Sequence, residues 1–139
     1  MAQKYIIGDL VRYTSLYKEP VAEICEVRET SYLIRFMNRN FAKVTSQEIK
    51  PIPITPEILE KNGWDKEEKD GSVFSLSEAF MGGNENDEDN YTCFQLYYQN
   101  KKDGWVIDMR GEPLKFEIHY IHELQHLFFG LGINHEMEV

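Results

Sequence analysis

The run Tyr91-Thr92-Cys93-Phe94-Gln95-Leu96-Tyr97-Tyr98-Gln99 constrains the fold more than any other stretch of the chain. Phe94, Leu96 and Tyr98 alternate with Cys93, Gln95 and Tyr97. That period of two suits a strand with one covered face and does not suit a helix. Lys102-Asp103-Gly104 supplies a turn, and Trp105 to Met109 returns as the hairpin partner. After a second turn at Arg110-Gly111-Glu112-Pro113, Leu114 to Ile118 either adds a last strand or leads into the closing helix.

The first 55 residues also read as β. Short apolar runs at Leu10–Tyr13, Val21–Arg28, Ser31–Met37, Phe41–Val44 and Ile49–Ile54 are separated by polar turns. This pattern predicts a small antiparallel β-unit of SH3-like type. Pro51 and Pro53 suit an edge or exit segment, because neither donates to a ladder. A helix of about two turns follows. Thr55 caps it, Pro56 takes the first helical position, Glu57 complements its positive end, and Asn62-Gly63 stops it. Ile58, Leu59 and Trp64 are the residues expected to pack it onto a sheet. Residues 65–72 read as a charged loop, and Val73 to Met81 as a strand, although Ser77-Glu78-Ala79-Phe80 also suits a helical turn. The expected fold is therefore α+β: an N-terminal β-unit, a short helix, an antiparallel hairpin or meander, and a C-terminal helix. Its organisation is either two units, 1–55 and 56–139, or one compact domain over 1–139.

The chain has 139 residues, enough to bury a core, and 42% of them are hydrophobic. No apolar run approaches the roughly 20 residues of a membrane span, and the first residues lack a signal-peptide core. The expected location is the cytoplasm. Cys25 and Cys93 lie far apart in strand-like runs and read as buried thiols of a reducing compartment. The net charge of −9 is unevenly placed. Residues 1–55 carry eight Lys and Arg against six Asp and Glu, a net of +2; residues 56–139 carry seven against eighteen, a net of −11. Such a chain repels phosphate backbones, so no measurable duplex DNA binding is expected at physiological salt. Only the slightly basic β-unit over 1–55 suits a nucleic-acid module.

Residues His122-Glu123-Leu124-Gln125-His126 match His-Glu-x-x-His, the zinc signature of many metallopeptidases. On a helix, positions four apart share a face, so His122 and His126 can reach one ion while Glu123 acts as base on its water. The helix is credible, with Ile121, Leu124, Phe128 and Leu131 in one apolar stripe and Tyr120 and Leu127 flanking it. The two histidines fall on the opposite side, which a zinc helix and an ordinary solvated helix share. The third ligand is missing. Phe129 and Gly132 hold the positions where the metzincin extension needs Gly and His. His119, His135, Glu136, Glu138 and Asp108 are the remaining candidates, and none has ligand spacing. The expectation is no catalytic residue, no metal and no cofactor, and only adventitious metal binding by His119, His122 and His126. A zinc-dependent hydrolase using His122, Glu123 and His126 is the alternative.

Two further features have bland readings. The acidic run from Gly82 to Asn90 invites Ca²⁺, but counting from Asn84 puts Asp89 sixth and Gln95 twelfth, where an EF-hand needs Gly and Glu. A solvated hairpin loop fits better. Tyr91, Tyr97, Tyr98 and Trp105 can form an aromatic binding face, though such strands more often fill a core or its rim.

Pro51-Ile52-Pro53-Ile54-Thr55-Pro56-Glu57-Ile58-Leu59, followed by Asn62-Gly63-Trp64, resembles a recurring segment in small proteins of gut bacteria and their phages and mobile elements. Tyr120 to Phe129 is similar to the closing helix of the same proteins, and the order of elements matches. In that family the closing segment commonly reads Val-His-Gln-Leu-Gln-Asn, which makes Glu123 and His126 departures rather than motif members. The resemblance implies a fold and an order of elements, argues against a peptidase, and carries no activity. With no phosphate loop, no triad and no complete metal set, the expected function is a non-enzymatic accessory or interaction protein whose partner is another protein. The acidic second half would steer a basic partner.

Overall fold

A computed structural model describes residues 5–79, 91–99, 104–109, 112–132 and 136–139. The fold is α+β, with two antiparallel five-stranded sheets and two helices among the described residues. The chain divides into two compact units, Met1–Pro53 with Tyr120–His122, and Ile54–His119 with Glu123–Val139.

In the first unit the strands are β1 (Leu10–Tyr13), β2 (Val21–Val27), β3 (Tyr32–Phe36), β4 (Phe41–Val44) and β5 (Ile49–Pro51), ordered β4-β3-β2-β1-β5. The last strand returns beside the first, with Tyr13 opposite Ile49 and Val11 opposite Pro51. Alternation builds the core: Val11, Ala22, Ile24, Ile34 and Val44 are buried, as are Tyr5 and Ile49. A bulge between Ile24 and Glu26 bends β2. Each fully buried Val or Ile side chain contributes roughly 1.5–3 kcal/mol, so this small core is the unit's main source of stability. Both edges are short. On β5 the prolines blunt the edge, and Pro53 bridges Tyr120 while Ile121 N–H donates to the Ile52 carbonyl at 2.8 Å.

In the second unit the strands are β6 (Asp65–Lys66), β7 (Val73–Ala79), β8 (Tyr91–Gln99), β9 (Gly104–Met109) and β10 (Glu112–Ile118), ordered β10-β9-β8-β7-β6. The meander is as the alternation predicts, with Leu96 opposite Ile107 and Phe94 opposite Met109. Two details differ. Asp65 and Lys66 are not loop but pair with Ser75 and Phe74 at the sheet edge. Val73–Ala79 is extended throughout, because pairing with β8 overrides the helical propensity of Ser77-Glu78-Ala79. The Gly82–Asn90 run and the Lys102-Asp103 and Arg110-Gly111 turns lie outside the described residues.

Helix α1 (Pro56–Lys61) shows how local chemistry sets its bounds. Thr55 is extended, and its hydroxyl accepts the Ile58 N–H at 3.3 Å. At the other end the Gly63 N–H donates to Glu60 and the Trp64 N–H to Leu59, at 3.1 and 3.0 Å. This Schellman closure needs Gly63 at φ +86°. Replacing Thr55 by Ala should cost about 1 kcal/mol, read as a lowered urea midpoint at unchanged slope. Asn62 caps the helix and also holds the segment around Glu138. Its side-chain amide donates to the Glu138 carbonyl at 2.7 Å and accepts the Glu138 N–H at 2.8 Å. Beside it, Lys61 Nζ donates to the Val139 carbonyl at 3.0 Å.

Candidate functional site

Helix α2 (Ile121–Gly130) carries the zinc-like motif. Glu123 Oε1 accepts the backbone N–H of His119 at 3.0 Å, so the would-be base reaches back over the helix start as a capping carboxylate does. His122 is only 4% exposed. Its ring lies 5.2 Å from that of Tyr5 and 5.8 Å from that of Tyr120, nearly parallel to the latter. His126 is half-buried. The helical wheel places both histidines on a solvated face, and for His122 this is corrected: the helix buries His122 and Gln125 as well as Ile121, Leu124 and Phe128. Two aromatic rings give an imidazole a packed environment that a hydropathy count does not foresee.

The other candidate ligands are scattered. His119 is half-buried, with Nε2 3.8 Å from Glu117, and its ring covers Gly104 so closely that a Cβ there would come within 2.6 Å. Asp108 lies near Tyr97, whose phenol is pushed up by burial and then by that carboxylate. Glu138 is held by its backbone, and His135 lies outside the described residues. Among the described residues no three His, Cys, Asp or Glu side chains converge on a point that suits a metal ion.

Tyr5 reports on the His122 surroundings. Burial pushes its phenol up to about 12, with the charges of Tyr32, Asp9 and Tyr120 adding to the effect. The native state therefore keeps a proton that the unfolded chain gives up near pH 10. Stability from this group is complete below pH 10 and is lost as pH rises toward about 12. Thermal midpoints measured across that window should fall more steeply for the parent than for Tyr5→Phe; equal slopes would refute the assignment.

Of the aromatic residues on β8 and β9, the side chain of Tyr91 lies outside the described residues, Tyr98 is half-buried and Trp105 is covered. Trp105 is 3% exposed, packs on Phe74 and Tyr98, and donates its indole N–H to the Ile54 carbonyl at 3.3 Å. Tyr97 is half-buried and its hydroxyl donates to Gln95. The cysteines are also corrected. Cys93 is exposed, because Phe94 and Leu96 take the covered face, and Cys25 is half-buried on β2. Burial pushes the Cys25 thiol up, Glu23 adds to this, and Arg35 opposes it.

What stands open is the β3–β4 hairpin. Glu23, Arg35, Phe36, Met37, Arg39 and Phe41 line a groove of about 410 Å³. Met37 is 69% and Phe41 58% exposed. Glu23, Arg35 and Phe41 stand in register across β2, β3 and β4, and Arg35 pairs with Glu23 at 2.8 Å. The turn closes with Arg39 N–H donating to Phe36 and Phe36 N–H to Asn40, at 2.9 and 2.8 Å. Arg39 itself sits at φ +70°. In the sequence these residues read as strand and turn. Their one signal is Asn38-Arg39-Asn40 between Met37 and Phe41, two large apolar residues where a hairpin tip is usually polar. The chain matches no family model, no curated protein and no solved structure.

Proposed function

We propose that the protein is a non-enzymatic interaction protein, and that its N-terminal unit takes hold of a partner protein at the β3–β4 groove. The observation that carries this is the adjacency of Met37 and Phe41, both largely in water, to Arg35 and Arg39 around one concavity. Single exposed apolar residues are ordinary, whereas an apolar pair around a concave, partly charged floor has the make-up of a protein-binding surface. The zinc motif supports the same conclusion by its employment elsewhere: Glu123 caps the helix start, and His122 packs between Tyr5 and Tyr120. Free thiols at Cys25 and Cys93 suit the cytoplasm, where such groups stay reduced.

A photocrosslinking amino acid placed at position 41 tests this in the cells that make the protein. Protease-sensitive adducts at 41, absent from a control at the exposed Lys50 on β5 and lost with Arg39→Glu, are expected. Nuclease-sensitive adducts, or none beyond those of the control, would overturn it.

A further inference from the structure

We infer that the partner segment is an extended acidic peptide that adds to the sheet as a strand alongside β4, an inference that rests on the groove being a protein-binding site. Strand β4 is the outer strand of the order β4-β3-β2-β1-β5. In an antiparallel pair, residues bonded to the neighbour alternate with residues whose N–H and C=O point away. Phe36 donates to Asn40, and the register sets Ala42 opposite Ile34 and Val44 opposite Tyr32. Ala42 and Val44 therefore bond toward β3, and Phe41 and Lys43 turn their backbone groups to the open side. The opposite edge is closed to the same use, because Pro51 and Pro53 cannot donate. Strand addition draws affinity from these main-chain bonds and selectivity from the flanking side chains.

The flanking side chains are cationic and apolar. Arg35 is engaged by Glu23, while Arg39 and Lys43 stand exposed beside Phe41 with no ion pair among the described residues. Arg39 occupies a left-handed position that favours Gly or Asn, and Asn stands on either side of it. Strain at such a position persists where the side chain is used, and here it sets a guanidinium at the groove mouth. Charge complementarity selects an acidic occupant. A second copy would bring Arg35, Arg39 and Lys43 of both chains to one seam, and a Lys on a short edge strand opposes such self-pairing. A nucleic-acid strand meets Glu23 in the groove and a net charge of −9 on the chain, which weighs more against a polyanion than against a peptide with a few carboxylates.

The test uses the full chain, isotope-labelled, and a heptapeptide alternating Glu with Val and Phe. Its controls are a counterpart with Lys for Glu, an analogue N-methylated on alternate amides, and oligothymidylate. The acidic peptide is expected to bind with a Kd of about 1 mM or tighter, at least about tenfold better than the Lys counterpart. It should slow amide exchange at Phe41 and Lys43, with little change at Ala42 and Val44. Arg39→Gly should weaken binding about tenfold while Tm stays at or above the parent's, because Gly relieves the left-handed backbone. Equal binding of the Lys counterpart or the N-methylated analogue would overturn the inference, as would oligothymidylate moving the same amides. If no peptide binds while crosslinks at 41 still trap protein, strand addition falls and the groove remains. If the crosslinks vanish too, both fall.

Discussion

Phe128→Ala is expected to lower stability by about 3–5 kcal/mol. Phe128 is 2% exposed, its ring 5.1 Å from Phe94 and 6.3 Å from Trp64, parallel to the indole within 8°. Truncation removes the transfer energy of the ring and leaves a cavity that two rigid aromatics cannot collapse to fill. Urea unfolding followed by tryptophan fluorescence should show a lower midpoint at unchanged slope. Phe129→Ala, one residue on and 63% exposed, is the control and should cost under about 0.5 kcal/mol. A comparable loss for the two variants would mean that α2 is packed otherwise than described.

His122→Ala should cost about 2–4 kcal/mol, and His126→Ala less than about 1 kcal/mol. The two residues look equivalent in the motif but differ in surroundings: His122 is enclosed by the rings of Tyr5 and Tyr120, and His126 is half-buried. Two ligands of one zinc would behave as a pair, each removal releasing the ion and its share of stability. The measurement is therefore denaturation of both variants with elemental analysis of the parent. About one zinc per chain, lost equally with either histidine, would restore the hydrolase using His122, Glu123 and His126.

Local chemistry was legible in the sequence where it alone decides the structure. Thr55-Pro56 and Asn62-Gly63 bound α1 as their capping and left-handed preferences demand. The alternation of Phe94 and Leu96 against Cys93 and Gln95 marked β8 as a strand, and it pairs with β9 as expected. What stayed hidden depended on partners distant in sequence. A wheel drawn for α2 sees one apolar stripe and assigns His122 to water, yet it is buried, beside a tyrosine over a hundred residues away. Cys93 looked apolar enough for a core, but the neighbouring Phe and Leu had already taken that face. The groove was hidden because exposure of Met37 and Phe41 follows from where the hairpin ends, which no propensity records.

The membership of Tyr120–His122 in the first unit has a consequence for synthesis. The unit's β-strands leave the ribosome early, but the residues that pack His122 against Tyr5 and bridge Tyr120 to Pro53 follow only after the intervening chain is made. At about 5–20 residues per second that delay is on the order of several seconds. During it the nascent β-unit lacks its bridge at Pro53, and Tyr5 has the ring of Tyr32 beside it but not that of His122. Completion of one unit is thus timed by translation of the other, so that strands made before the second unit wait for residues made after most of it.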